Sequence, residues 1–236
     1  MKRIFQTLAE KWPEYLLEIL VITIGILGAF ALNNWNENRK DIALKESYKE
    51  SLILDLQADT ARVEERLRSL KQSLPETIAQ KRRLLGSKIT IDSFVQVASK
   101  EFEFLTSDIG HFNSGTYLSM VSSGHIGLFT NDQRRSLEQL ATVQKRALDV
   151  TSPLFNQYIQ SSNQFAQKYP IDFRNLMEIE SEVVKELWAE ATLSELGPQL
   201  LSLLGSKIEY EYVLAITLKE AQDHTIELLE ILQLEE

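Results

Sequence analysis

The side chains best suited to chemistry in this chain gather between residues 108 and 130. Two of its three histidines, His111 and His125, lie there with Asp108 and the hydroxyls of Ser114, Ser122 and Ser123. Imidazole beside carboxylate suits metal binding or proton transfer, and imidazole beside a hydroxyl suits acyl transfer. Each chemistry needs a spacing that this stretch lacks. No G-x-S-x-G presents a serine on an elbow, no H-E-x-x-H puts two histidines on one helical face, and neither glycine-rich phosphate signature occurs. No catalytic, metal-binding or cofactor-binding residue is therefore assigned, no cofactor is expected, and the chain reads as a protein other than an enzyme. Four of the nine glycines (Gly110, Gly115, Gly124, Gly127) share the window. That composition predicts a short helix and tight turn packing Tyr117, Leu118, Val121, Ile126 and Phe129, with Gly124 at positive φ. His111, Tyr117, Ser123, Gly124 and His125 form the candidate functional loop, because irregular segments on a rigid frame carry much of protein function.

The elements that must position this loop begin with an apolar run. Tyr15 to Leu32 holds a single charge, Glu18, and as a helix it would cover about 27 Å, close to the apolar thickness of a bilayer. Trp12 and Trp35 bracket it, as indoles do at the two interfaces. Trp12, Tyr15, Leu32 and Trp35 are accordingly read as the membrane anchor. A cleaved signal peptide competes, since Ala29-Phe30-Ala31 resembles a processing site. Glu18 within the apolar core, and a helix-compatible sequence running straight on, count against it.

At 100° per residue Glu18, Gly25, Ala29 and Asn36 fall on one stripe of the span. Small residues admit a second helix closely, and a buried polar group adds a hydrogen bond, so this stripe is the expected association face, toward a second copy or another membrane protein. Lys2, Arg3 and Lys11 precede the span and Arg39, Lys40, Lys45 and Lys49 follow it. A short basic tail before a first span commonly stays in the cytoplasm. The expected placement is thus a single-pass protein of the inner cell membrane with its helical domain outside, in the periplasm.

The formal charge of -9 is distributed unevenly. Residues 1–35 are neutral, 36–171 carry 18 bases and 16 acids, and 172–236 carry 4 bases and 15 acids. Such a surface repels phosphates, so a nucleic-acid partner is not expected. The acidic end reads as a solvated face, with a dock for a basic partner as the alternative.

Beyond the anchor the periodicity is helical. Ile53, Leu56, Thr60, Val63, Leu67, Leu70 and Leu74 alternate spacings of three and four and make one seam of a long amphipathic helix. Ser73-Leu74-Pro75-Glu76 has capping-box spacing and predicts a kink or restart. A third helix is expected after Asp92, with Phe94, Val97, Ala98, Phe102 and Leu105 on it. Thr130-x-x-Gln133 is a second capping box, opening a run through Leu137, Leu140, Val143, Leu148, Phe155, Tyr158 and Phe165 that Pro153 kinks or divides and Pro170 ends. A shorter helix from Asp172 would hold Leu176, Ile179, Val183 and Leu187. A last one after Gly197-Pro198 would hold Leu204, Ile208, Tyr212, Ala215, Leu218, Leu229 and Leu232.

The expected fold is all-α: a basic tail (1–14), a transmembrane helix (15–35), a long stalk helix (36–86), and an antiparallel helical bundle packing on the stalk (87–236). Lys88 to Ile91 is the one stretch that could instead be extended.

Two stretches resemble a known family. The run IGILGAFALNNWNENRK with the charged helix after it, and TYLSMVSSGHIGLFTNDQRRSLEQL in mid-chain, are similar to an uncharacterised family of bacterial single-pass membrane proteins. Glu18, the NNWNE sequence, Tyr117, the Ser123-Gly124 turn and Asn131-Asp132 carry the resemblance, which spans nearly the whole chain. It supports the anchor and implies no activity, cofactor or ligand.

Two functions follow as expectations. The first is a membrane-anchored interaction or scaffold protein, with the bilayer and a second copy or another membrane protein as partners. The second is a helical sensory domain that binds a small ligand and, since the chain ends at Glu236 with no signalling module, acts through a separate protein. An apolar pocket with convergent polar groups near Tyr117 would favour the sensor, and a solid core there the scaffold.

Overall fold

The computed structural model describes residues 2–171 and 181–233, with side chains from Trp12 onward. Its first helix, α1 (Lys2–Leu84), contains the segment long and apolar enough to cross a membrane, and none of that segment is buried against the rest of the protein. Trp12, Tyr15, Leu32 and Trp35 are all exposed. Residues 36–43 remain exposed before Leu44 and Lys45 begin the packing, so a bare neck of about 13 Å separates Trp35 from the bundle.

The restart expected as one alternative at Ser73 does not occur, for α1 runs through Ser73 and Pro75 without a break. Proline removes one backbone donor, but buried Leu70, Thr77 and Leu84 hold the segment to its neighbours on either side. Those three continue Leu56 and Val63 at intervals of seven, which keeps one stripe of α1 facing inward.

After α1 come α2 (Ile91–Gln96) with a π turn (Val97–Glu101), α3 (Gly115–Ser123) with a 3-10 turn (His125–Leu128), α4 (Asn131–Lys168), α5 (Glu182–Ala189) and α6 (Leu193–Gln233). No strand occurs among the described residues, Lys88 to Ile91 included. The Thr130–Gln133 capping box forms as expected, each side chain meeting the other's backbone N–H. Pro153 does not divide α4. The last helix starts at Leu193, earlier than Gly197-Pro198 suggests, with Gly197 buried beside Phe94 and Pro198 inside the helix near its N-terminal end. Asp172, Leu176 and Ile179 lie outside the described residues. Val183 and Leu187 are exposed, while Trp188 of α5 stacks on Tyr169 with ring centroids 5.5 Å apart.

Three apolar clusters give the topology. Leu52 and Leu56 of α1 pack with Leu137 and Leu140 of α4 and Leu228 and Leu232 of α6 at the end nearest the span. Val63, Leu70, Val143, Ala147, Leu214 and Leu218 form the middle. At the far end Leu84 meets Phe165, Leu200 and Leu204. So α1 and α4 run parallel and α6 antiparallel to both, giving an all-helical bundle. Tyr212 is exposed, unlike the core position the periodicity suggested, because the inward seam of α6 passes through Leu204, Lys207, Glu211, Leu214 and Leu218.

The largest departure from the expected helices is the stretch 102–114, an irregular strap that belongs to no helix or strand. Phe102 and Leu105 were expected on a helix; Phe102 points into the core and Leu105 into solvent, as residues on opposite sides of an extended chain do. Length explains the choice. Gln80 donates to the Glu101 carbonyl and Asp59 accepts from the Asn113 N–H. These two partners are 21 residues apart on α1, about 31 Å of helix. Twelve residues of helix would cover about 18 Å, and twelve extended residues reach about 40 Å. Only an extended strap spans the gap.

Candidate functional site

A strap without a strand partner must find hydrogen bonds for its backbone elsewhere. Side chains of three helices provide them. Tyr158 of α4 donates to the Phe104 carbonyl at 2.5 Å, and Tyr210 of α6 to Ser107 at 2.8 Å. From α1, Arg66 donates to the Ser107 carbonyl and the Thr106 hydroxyl at 2.8 Å, and Arg62 to the His111 carbonyl at 2.6 Å. Lys207 of α6 donates to the Glu103 carbonyl. Burial pushes the Tyr210 phenol up to about 12 and Tyr158 higher still, so both stay protonated donors.

Lys207 and Glu211 are each 1% exposed, one turn apart on α6, with Nζ 3.9 Å from the nearer carboxylate oxygen. The ammonium also sits 5.0 Å from the centre of the Phe102 ring. Desolvation lowers the Lys207 pKa, against the pull of Glu211 and Glu103. It raises that of Glu211, although Lys207 and Arg66 favour the charged form. One Glu211 oxygen, Oε2, has no hydrogen-bond partner among the described residues. Glu211 therefore departs from the solvated acidic face expected of this region.

Two of the hollows that the strap borders lie against α1. One of about 340 Å³ lies between the strap and α1, with Asp59, Arg62, Arg66, Asp108 and His111 beside the apolar Val63, Phe112 and Leu218. The other, about 380 Å³, is an apolar cleft between α1, α3 and α4. Leu52 and Leu56 form one wall, Leu137, Leu140 and Leu148 another, and His111 to Ser114 with Tyr117 close the remaining side.

The candidate loop thus divides. His111 and Tyr117 line the cleft. Ser123, Gly124 and His125 instead end α3 and clamp it to the stalk. Gly124 takes φ +77°, as predicted, a conformation that a Cβ would strain. His125 Nδ1 lies 2.9 Å from Ser123 Oγ and 3.1 Å from the Tyr48 hydroxyl. A serine and histidine in contact resemble a nucleophile and base. Here the third group shares the same ring nitrogen instead of orienting the other, and Ser123 Oγ donates to the Ser119 carbonyl at 2.7 Å. The arrangement fastens α3 to α1.

Of the turn's apolar residues, Phe129 is buried and Tyr117 and Ile126 are half-buried, but Leu118 and Val121 are exposed, since α3 covers the bundle with one face only. The irregular segment begins at 102, not 108, and already contains α3 by 115. Among the described residues no group of three or more His, Asp and Glu is placed to hold a metal ion. On the span, Glu18, Gly25, Ala29 and Asn36 are all exposed, and nothing lies near Gly25 or the neighbouring Gly28.

Sequence reasoning missed Asp59, Lys207, Glu211 and Gln144. Each is a polar residue at an inward position of a long helix, and that interruption of an apolar seam was the available signal.

The model of a family of unknown function (DUF6090) matches residues 18–165. No curated protein and no solved structure matches the chain.

Proposed function

The chain belongs to that family of unknown function, and we propose that it is a single-pass membrane protein whose helical domain binds a small apolar ligand and passes that state to a partner protein. The carrying observation is the cleft beside Tyr117. It is apolar on both helical walls, polar on the strap side, and falls in the size range of small-ligand sites. A solid core at this place would have favoured a pure scaffold. The role is binding and not catalysis, in keeping with the clamp geometry of Ser123 and His125. The basic tail is assigned to the cytoplasm and the bundle to the periplasmic face of the inner membrane, with no nucleic-acid partner. Because α1 is one helix from span to bundle, a change in packing at Leu52 and Leu56 can bear directly on the membrane segment.

Filling the cleft tests this. Ala141 lines it on α4 and is half-buried, so Ala141→Phe places a ring in the space. Full-length wild type and variant are purified in parallel from their membrane and their small-molecule content compared by mass spectrometry. A molecule retained by the wild type and at least about tenfold depleted in the variant is expected, a loss of roughly 1.4 kcal/mol or more in binding. Identical content in both contradicts the reading.

The scaffold role is the second reading, favoured by the fully exposed span. Its stripe of Glu18, Gly25, Ala29 and Asn36 is open to another helix. Gly25→Leu with Ala29→Leu is expected to weaken self-association in a membrane dimerisation assay severalfold. An unchanged signal removes this face as the contact.

A further inference from the structure

Resting on the binding reading above, we propose that the cleft takes a neutral amphiphile, an apolar body with one uncharged hydrogen-bonding head, and that Gln144 recognises the head. Gln144 is 8% exposed, lies among Leu137, Leu140 and Leu148 on the inward stripe of α4, and lines the cleft. Its amide makes no hydrogen bond to any described residue. Set among leucines, the amide opens onto the cleft, where a group that enters and displaces water pairs with it. An amide offers both a donor and an acceptor, matching an alcohol, a carbonyl or a second amide.

Charge at the rim points the same way. Among the described residues only Asp55 and Lys145 bring full charges to the lining, and both are engaged: Asp55 accepts from the Thr116 hydroxyl at 2.6 Å, and Lys145 pairs with Asp149 at 2.6 Å. An anionic head would meet the Asp55 carboxylate with Lys145 already paired, and a cationic head would be drawn to Asp55 on the α1 wall and away from Gln144 on the α4 wall, so a head held at Gln144 is a neutral one. The apolar body has Leu56, Leu137 and Leu140 to lie against.

The test is photolabelling of the full chain in lipid nanodiscs with three eight-carbon probes that carry the same diazirine and differ only in the head: an alcohol, a carboxylate and an ammonium. Label on peptides covering 112–118 and 137–148 is measured relative to label on the 12–35 segment, which samples the lipid. The alcohol is expected to label the cleft about fivefold more than either ion, the scale of one net hydrogen bond. Gln144→Leu, which keeps the apolar volume and removes the amide, should bring the alcohol down to the level of the ions. Equal labelling by all three heads, or an undiminished alcohol signal in Gln144→Leu, overturns the neutral-ligand assignment while leaving the cleft a binding site. Failure of every probe to label the cleft, including the case in which a second copy cross-links across it, overturns the binding reading as well.

Discussion

Lys207→Met is expected to destabilise the full chain by roughly 3–5 kcal/mol at pH 8, measured by denaturant titration, because it strips one partner from a buried charge pair. Methionine keeps most of the stem that packs beside Phe102, so the loss isolates the ammonium. Without it the Glu103 carbonyl loses its donor and Glu211, 1% exposed, faces the interior with its other oxygen already lacking a partner among the described residues. Adding Glu211→Leu should return much of the loss, since removing both charges also removes both desolvation costs. A single variant within about 1 kcal/mol of wild type would contradict the placement of the pair, given what an orphaned buried charge costs.

The pH dependence has a definite sign. Burial raises the Glu211 pKa above its ordinary 4.5, so between those values the folded chain holds more protons than the unfolded one. Its stabilising contribution is complete below the ordinary value and is lost as pH rises through the raised one. Lys207, lowered from 10.5 by desolvation, acts at the alkaline end, where the folded chain holds fewer protons and stability rises with pH toward 10.5. The Lys207→Met penalty should therefore shrink as pH falls through the raised Glu211 value, and Glu211→Gln should flatten the acid-side slope.

The second large effect is expected at Asp59. Its carboxylate is buried, both oxygens accept from the Asn113 backbone N–H at 3.1 and 3.0 Å, and Oδ1 also takes Arg62 at 2.6 Å. Asp59→Ala leaves a backbone donor and a guanidinium arm unpaired, about 2–3 kcal/mol. The consequence is local as well as global. Asn113 ties the strap to the stalk next to the cleft, so amide exchange over 107–116 should accelerate far more than over 137–148. Asp59→Asn keeps an acceptor and should fall between. Unchanged exchange in the strap would show that Asp59 does not hold it. Desolvation raises the Asp59 pKa from 3.8 against the lowering by Asn113 and Arg62, so its pH dependence has the same sign as that of Glu211.

Local chemistry explains why much of the fold was legible. The span-length run, the helical spacing of Leu56, Val63 and Leu70, the Thr130–Gln133 box and the turn at Gly124 each depend on residues within a few positions of one another. Periodicity, capping and a positive φ act at that range and need no knowledge of the rest of the chain. The family match, over residues 18–165, takes in most of the apolar run and the mid-chain turn.

The misreadings share a different cause. Ser73-x-x-Glu76 has the spacing of a helix start, yet packing on both sides carries α1 past Pro75. Phe102 and Leu105 have helical neighbours, yet the chain there must cover about 31 Å in twelve residues and can do so only extended. Lys207, Glu211 and Gln144 look like surface residues when read singly, since a lysine, a glutamate or a glutamine is usually solvated. They are buried because α1, α4 and α6 close around them, and their meaning depends on partners up to 104 residues away in the chain, as between Lys207 and Glu103. From residues alone one learns that this protein is a long apolar helix joined to an amphipathic helical domain. That the domain keeps a charged pair, an amide paired with no described residue and a cleft inside it follows only from distances between remote segments, because the free energy of a buried polar group is set by what surrounds it.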